Sequence, residues 1–386
     1  MTNYSDLEII ELVNKLLNDA LLQRASDIHF EPYQEEYRIR MRIDGVLQLM
    51  SVLPILLVKP LTVRLKIMAK LNIAEQRLPQ DGQLLNDKQA MRISTIPTLY
   101  GEKIVLRIME QQQNIFLLEQ LGLSEYEQYH YRQALNNPQG LILVTGPTGS
   151  GKTITLYSGL KEINNNSRNI CSVEDPVEMP VIGINQTQVN PKAGLDFAKT
   201  LRAFLRQDPD VIMIGEIRDQ ETAEIAIQAS QTGHLVLSTL HTNSSAEALI
   251  RLNQMGIKRY LIAASLKLII AQRLARKLCH HCKILADEKF IVEENNAPTF
   301  YAHYLAKGCQ HCIGGYYGRI GLYELFIITP QIQTLLASND NFSLHNIQQI
   351  MKKHKIKTLY LSGVGLVKQG LTSLAEIQRV LGSINE

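Results

Sequence analysis

Tryptophan is absent from the 386 residues, and aromatic side chains together make up only 6% of them. No sign of charge dominates either. The 40 Lys and Arg stand against 37 Asp and Glu, a formal net charge of +3, with acids and bases interspersed. A chain so balanced, with no aromatics interleaved among basic residues, gives no compositional case for binding nucleic acid. Long apolar runs are missing: nothing reaches the roughly 20 residues that span a bilayer. The nearest approaches are residues 50–58, broken by Pro54, and residues 261–271, interrupted by Lys267. Residues 1–25 alternate apolar and charged positions, unlike a secretory leader. These absences lead to the expectation of a soluble, cytoplasmic protein that meets a membrane only peripherally, through a partner. Cysteine is scarce, with five in all, and four of them form two Cys-x-x-Cys pairs. In a cytosolic chain that pattern favours metal over disulfide. The fifth, Cys171, lies in the apolar stretch Asn169-Ile-Cys-Ser-Val173 and reads as a buried strand residue.

The chain divides by pattern. Residues 6–24 carry apolar side chains near a 3.6-residue period and read as an amphipathic helix, with Asp6 as its expected cap. Alternation at residues 26–31 and 36–42 predicts two strands, followed by a turn at Asp44-Gly45. A helix is expected over 61–73 and a second strand pair near 90–94 and 103–109. This is a small α+β domain over residues 1–110. Glu110-Gln-Gln-Gln-Asn114 reads as the start of a linker, taken over 111–121. From there strand and helix alternate. Residues 141–145, 170–173, 211–214 and 235–239 are short apolar runs of the kind buried on both faces of a parallel sheet. Helical stretches at 197–206 and 221–231 separate them. The expected divisions are a P-loop core at 122–274, a tetracysteine segment at 275–322 and a helical segment at 323–386. Lys352, Lys353, Lys355 and Lys357 form the one dense basic cluster. It reads first as a solvated helix face, with anionic lipid as the other reading.

Gly146-Pro-Thr-Gly-Ser-Gly-Lys-Thr153 follows one of these strands and opens a helix. In such a loop, formed here by Gly146, Pro147, Thr148, Gly149, Ser150 and Gly151, the glycines let backbone N–H groups close around phosphate oxygens. Lys152 is placed to reach the β- and γ-phosphates of ATP, and Thr153 to ligate Mg²⁺. Hydrolysis also needs an acid. Glu216 follows the apolar strand 211–214 and is well placed, although the aspartate usual at such a strand's end is absent. Glu174, Asp175 and Glu178 cluster at the end of another strand, where the first two are candidates to face the metal. His234 and His241 bracket the strand 235–239, and either is as readily a structural histidine as a γ-phosphate sensor. Arg64 and Arg77 are candidates for an arginine supplied from a neighbouring unit, or are ordinary solvated arginines.

With these blocks in view the sequence resembles the secretion ATPases of the GspE/PilB family, motors of type II secretion and type IV pilus assembly. The resemblance runs from about Asp6 to Leu381. It rests on Arg24-Ala-Ser-Asp-Ile-His-Phe-Glu-Pro32, Met68-Ala-Lys-Leu-Asn-Ile-Ala-Glu75 with Pro79-Gln-Asp-Gly82, and Arg92-Ile-Ser-Thr-Ile-Pro-Thr98 with Gly101-Glu-Lys103. Beyond the P-loop, Glu174-Asp-Pro-Val-Glu178 is similar to the family's Asp box. Arg206 to Asp219 resembles its Walker B block, and Thr232 to Asn243 its His box. The resemblance implies a PAS-like α+β domain joined to a RecA-like core, an α/β architecture assembled as a ring of six. It implies that Glu216 and Glu174 act on water and Mg²⁺ and that His241 lies at the γ-phosphate. It implies that Arg64 and Arg77 reach the nucleotide, and that the partners are platform or assembly proteins at the inner membrane. Longer members carry an extra N-terminal domain that docks onto a membrane partner, whereas here the resemblance starts at about Asp6. Gln83 stands where the family often has arginine, and Ile154 replaces a usual threonine.

Cys279-x-x-Cys282 and Cys309-x-x-Cys312 are separated by 26 residues. Four thiolates so spaced suit a tetrahedral structural zinc, and Gly314-Gly315 permits the turn of a knuckle. His280, His281 and His311 lie inside the pairs, but four thiolates already close the shell. The other reading is four reduced, unliganded cysteines. The family agrees with zinc, since its assembly-type motors carry such an insert and its retraction-type motors lack it. The functional expectation is an ATP-hydrolysing cytoplasmic motor for a type IV pilus or a type II secretion pseudopilus. A DNA-uptake motor of the same family, a nucleic-acid translocase with the same core and a non-catalytic ATP-binding regulator are the alternatives.

Overall fold

The computed structural model describes residues 4–86, 89–109, 116–294, 297–338 and 342–382. The expected linker start at 110–114 lies outside them. The chain divides into two compact units, residues 1–113 and 114–386.

The first unit opens with α1 (Asp6–Leu22), which buries Val13, Leu16, Leu17 and Ala20 on one face. Its cap is Ser5, not Asp6. The Ser5 hydroxyl accepts from the Glu8 N–H at 3.3 Å, and Glu8 Oε2 accepts from the Ser5 N–H at 2.7 Å. This reciprocal box satisfies two donors that a helix otherwise leaves open and is worth about 1 kcal/mol. Asp6 falls inside the first turn, where its charge still complements the helix dipole. Six strands follow: β1 (Ala25–Pro32), β2 (Glu36–Ile43), β3 (Val46–Pro54), then, beyond a helix, β4 (Gln80–Asn86), β5 (Gln89–Thr98) and β6 (Gly101–Ile108). They form one antiparallel sheet in the order β3-β2-β1-β6-β5-β4.

The helix between β3 and β4, α2 (Val58–Met68), starts and stops earlier than the expected 61–73. Lys70 takes a left-handed conformation with φ 56°. The Leu71 N–H then donates to the Lys66 carbonyl and the Lys70 N–H to that of Ile67, at 2.9 and 3.1 Å. This is a Schellman ending, usually announced by glycine and here made by lysine.

The second unit is built on a seven-stranded sheet in the order β17-β12-β7-β11-β10-β8-β9. Its elements in chain order are α3 (Glu125–Leu135), β7 (Gly140–Thr145), α4 (Lys152–Ile163), β8 (Ile170–Glu174), β9 (Asn185–Gln188), α5 (Phe197–Phe204), β10 (Val211–Ile214), α6 (Gln220–Gln231), β11 (Leu235–Leu240), α7 (Ser245–Gln254), α8 (Arg259–Ser265) and β12 (Leu266–Leu278). Four short strands follow, β13 (Ile284–Leu285), β14 (Phe290–Glu294), β15 (Ala297–Tyr301) and β16 (Tyr304–Leu305), then β17 (Tyr316–Ile327). The chain ends in α9 (Pro330–Ser338), α10 (Leu344–Lys353), α11 (Leu359–Lys368) and α12 (Leu374–Leu381).

Six of the seven strands run parallel, so the carboxyl ends of β7, β8, β10 and β11 lie along one edge. Alternate residues feed two cores. Leu141, Leu143, Ile212, Ile214 and Val236 pack on one face, and Ile142, Val144, Val211, Met213, Leu235 and Leu237 on the other. Cys171 lies in β8, 3% exposed, as its apolar setting predicts. The final third departs from the expectation of cysteine pairs followed by helices. β12 and β17 are the longest strands, at 13 and 12 residues, and they extend the central sheet as an antiparallel pair. The expected break at 274/275 therefore falls within β12. The apolar run 261–271 divides between α8 and β12, and its hydrophobicity reflects a strand covered on both faces. Among the described residues, no helix is long and apolar enough to cross a membrane.

Candidate functional site

The site grows from the end of β7. Thr145 Oγ1 meets the Leu240 carbonyl at 3.0 Å and the Thr242 hydroxyl at 2.7 Å, tying β7 to the segment after β11. The chain then turns through Gly146, φ 154°, where a Cβ would stand 2.5 Å from the Gln272 carbonyl oxygen. Only glycine fits such an approach. Pro147, Thr148 and Gly149 are exposed, while Ser150 is buried and its hydroxyl has no partner among the described residues. Gly151, φ 88°, caps α4 without any side-chain acceptor, so the first-turn N–H groups are uncovered by side chains. An orphaned hydroxyl and an open helix N-terminus fit a bound phosphate chain.

Lys152 is buried, and its ammonium donates to the carbonyls of Gly146 and Pro147 at 2.9 and 3.1 Å. Burial lowers its pKa to about 8. Glu216 acts against that shift and Arg273 adds to it. Thr153, half-buried, follows in the first turn of α4, and Ile154 comes next.

Glu216 lies just past β10. Its Oε2 is 3.0 Å from His241 Nε2, and its Oε1 accepts from Arg218. Burial works to raise the Glu216 pKa, but Arg218 and His241 outweigh it and hold the carboxyl below its usual value. Arg218 also reaches Asp175 at 3.4 Å. The structure thus brings Glu216, His241 and the phosphate loop to one edge of the sheet. His234 lies at the opposite end of β11, where its Nδ1 meets the Ala229 carbonyl at 3.1 Å.

Glu174, only 3% exposed, ends β8 beside Gly215, which lies just past β10 and donates its N–H to the Val173 carbonyl at 2.8 Å. Ser172 Oγ and Gln186 Nε2 donate to its Oε1 at 2.8 and 3.1 Å, and the Tyr157 hydroxyl donates to its Oε2. From β12, Arg273 donates to the Gln272 carbonyl at 3.0 Å and to the Asn243 carbonyl and side-chain oxygen at 3.0 and 3.2 Å. Gln272 Oε1 in turn accepts from Thr155 at 2.7 Å. None of Tyr157, Arg218, Gln272 and Arg273 was among the residues singled out from sequence. A polar pair inside the otherwise apolar run of β12 was the available signal for the last two, because buried charge is rare without a role.

Arg64 and Arg77 belong to the first unit. Arg64 sits on α2, with its Nε buried and unpartnered among the described residues. Arg77 lies in the segment after α2, with its side chain 89% exposed and 3.6 Å from Glu75. That segment is anchored by Lys66, which donates to the Glu75 carbonyl at 2.6 Å and forms a buried pair with Glu102 at 2.6 Å.

The four cysteines of the two pairs converge, with every Sγ within 4.8 Å of the others. Cys279 and Cys309 are 3.9 Å apart, and Cys312 lies 3.7 Å from both Cys282 and Cys309. A tetrahedron with metal–sulfur bonds of about 2.3 Å has edges of about 3.8 Å, so the spacing fits zinc. All four thiols are free of disulfides. His280, His281 and His311 stack beside the knot, with ring centroids 3.8 and 4.6 Å apart. Lys352, Lys353, Lys355 and Lys357 are exposed at and just beyond the C-terminal end of α10.

A phosphate loop at the carboxyl edge of a largely parallel sheet, with an acid and a histidine on the adjacent strand ends, defines a RecA-like P-loop ATPase. The family model for Type II/IV secretion system protein matches residues 3–379. The chain belongs to that family. It is 52% identical over 381 residues to the protein transport protein HofB homolog of Escherichia coli K12, covering 96% of this chain and 81% of the relative. It is 49% identical to the type IV pilus assembly ATPase PilB of Pseudomonas aeruginosa, covering 97% of this chain and 68% of the relative. It is 45% identical to the type II secretion system ATPase E of Vibrio cholerae, covering 97% and 76%. Among solved structures, the ATPase DotB of Legionella pneumophila superposes with a TM-score of 0.72 at 20% identity, covering 98% and 96%, and shares the fold. The pilus retraction motor PilT with bound ADP gives 0.64 at 28% identity, covering 95% of each chain.

Proposed function

We propose that this chain is a hexameric, cytoplasmic motor that hydrolyses ATP to power assembly of a type IV pilus or a type II secretion pseudopilus, held at the inner membrane by platform proteins. The names of its relatives support the machine. The observation that carries the chemistry is the convergence of Lys152, Glu216 and His241 at one sheet edge. In this reading the backbone N–H groups of residues 148–153 cradle the phosphates, and Lys152 neutralises the β- and γ-phosphates. Thr153 holds Mg²⁺, whose chemistry is to polarise the phosphoryl oxygens. Glu216 orients the metal's water shell, His241 reports on the γ-phosphate through Glu216, and Glu174 holds the attacking water. Arg64 and Arg77 act on nucleotide bound by another copy of the chain. Zinc in the tetracysteine knot has a structural role.

Two substitutions test the chemistry. Lys152→Ala should abolish turnover, because the loop loses its point charge. Glu216→Gln should retain ATP binding and lower the hydrolysis rate by at least about 100-fold. Filter binding of labelled ATP beside a phosphate-release assay reads both. Turnover by Glu216→Gln within a few-fold of the unsubstituted protein would move its role to Glu174.

A further inference from the structure

A carboxylate offers about four acceptor sites, two on each oxygen. On Glu174, three of them are filled. Ser172 and Gln186 occupy both sites of Oε1 at 2.8 and 3.1 Å, and the Tyr157 hydroxyl takes one site of Oε2. Tyr157 is fully buried. Burial first, and then the neighbouring carboxylate, push its pKa upward, so the hydroxyl keeps its proton and remains a donor. It stands five residues after Lys152 on α4, about 7.5 Å along the helix that the phosphate loop opens.

We propose that Tyr157 is a positioning residue that leaves Glu174 a single open lone pair, on Oε2, and aims it at the attacking water. The inference rests on the proposed role of Glu174. A 3%-exposed carboxylate with one free acceptor site has room for a single water O–H. Because α4 carries both Lys152 and Tyr157, a shift of the loop on binding phosphate also moves the hydroxyl that fixes the Glu174 rotamer. The site thereby couples the grip on the nucleotide to the aim of the water.

The test is Tyr157→Phe in the full chain, which removes one oxygen and keeps the ring. The expected result is a kcat about 10- to 100-fold lower, with the KM for ATP and the Mg²⁺ concentration for half-maximal rate unchanged within twofold. Tyr157→Phe should cost nothing further in a Glu174→Gln background, since both changes remove the same function. Ser172→Ala, which frees an Oε1 site, should lower kcat only a few-fold, and it serves if Tyr157→Phe fails to bind a non-hydrolysable ATP analogue. A Tyr157→Phe protein that binds the analogue and turns over at the unsubstituted rate overturns the proposal, as does a raised Mg²⁺ requirement, which would make Glu174 a metal ligand. Normal kcat in both variants, with Glu174→Gln inactive, removes only the positioning role. Normal kcat in Glu174→Gln removes the underlying reading of Glu174 as well.

Discussion

Lys152 occupies a place where burial and the neighbouring Arg273 both work against its charge, and its pKa comes to about 8 from an ordinary 10.5. The sign of the consequence follows from linkage. A depressed pKa means that the folded chain holds fewer protons than the unfolded chain between pH 8 and 10.5. Stability therefore gains across that window and loses the gain as pH falls through 8. Phosphate binding acts the other way, because an anion beside the ammonium favours the charged form. Affinity for a non-hydrolysable ATP analogue should be flat below pH 8 and weaken above it, by at most about tenfold per unit. Calorimetry at pH 8.5 in two buffers of different ionisation enthalpy should register proton uptake on binding, and the uptake should vanish in Lys152→Ala. Binding without proton exchange would mean that the lysine is already fully charged in the free protein.

Elements were legible where one pattern determined them. The strands β7, β8, β10 and β11 lie close to their expected places, because runs buried on both faces leave continuous apolar stretches. The phosphate loop was legible for a similar reason, since its glycines answer a local backbone demand. Glu216 and His241 were legible as candidates, but their 3.0 Å contact was not, because it depends on the pairing of β10 with β11. Tyr157 was hidden, since nothing local distinguishes a tyrosine on an amphipathic helix, whereas Arg273 was announced only by a polar pair in an apolar run. β12 and β17 were hidden too, as β12 pairs with β7 more than 100 residues away, β17 pairs with β12, and the cysteines between them draw attention to a separate module. That module is fastened to its surroundings. The Leu278 N–H donates to the Leu371 carbonyl, Lys283 to that of Gly370, and Arg276 pairs with the buried Glu376 at 2.7 Å. Structural zinc contributes folding energy directly. The protein should hold about one zinc per chain by elemental analysis. Cys279→Ser with Cys309→Ser should lower the melting temperature by several degrees, as should a strong chelator. Zinc-free protein with an unchanged melt would leave the four thiols as a reduced cluster.

At the scale of the molecule the division of labour is uneven. The second unit carries the phosphate loop and its acids, while the first carries Arg64 and Arg77 and no phosphate loop of its own. An arginine that neutralises transition-state charge can come from a neighbouring copy, and hydrolysis then depends on assembly. Activity per chain should rise with protein concentration. A Lys152→Ala chain and an Arg64→Ala, Arg77→Ala chain, each inactive alone, should regain part of the activity when mixed, because some interfaces would join an intact loop to intact arginines. Steady turnover by a monomeric fraction after size separation would leave the two arginines with a structural role.

The pairing of Leu278 with Tyr316 has one more consequence. The segment carrying the four cysteines leaves the sheet and rejoins it at the same rung, so its two ends are neighbours whatever lies between them. Along the backbone it joins the central sheet through a single doorway, while Phe290 and Val292 share a core with Ala271 and Ala275 of β12. Residues gained or lost inside it change the size of an appendage without changing the register of β12 and β17, which is fixed on the sheet side of that doorway. Gln272 and Arg273 beside the phosphate loop are thereby insulated from drift in the length of the metal-binding segment. The appendage can vary in length where it does not carry Phe290 and Val292, which share a core with Ala271, Ala275 and the helices α11 and α12, while the catalytic edge keeps its alignment.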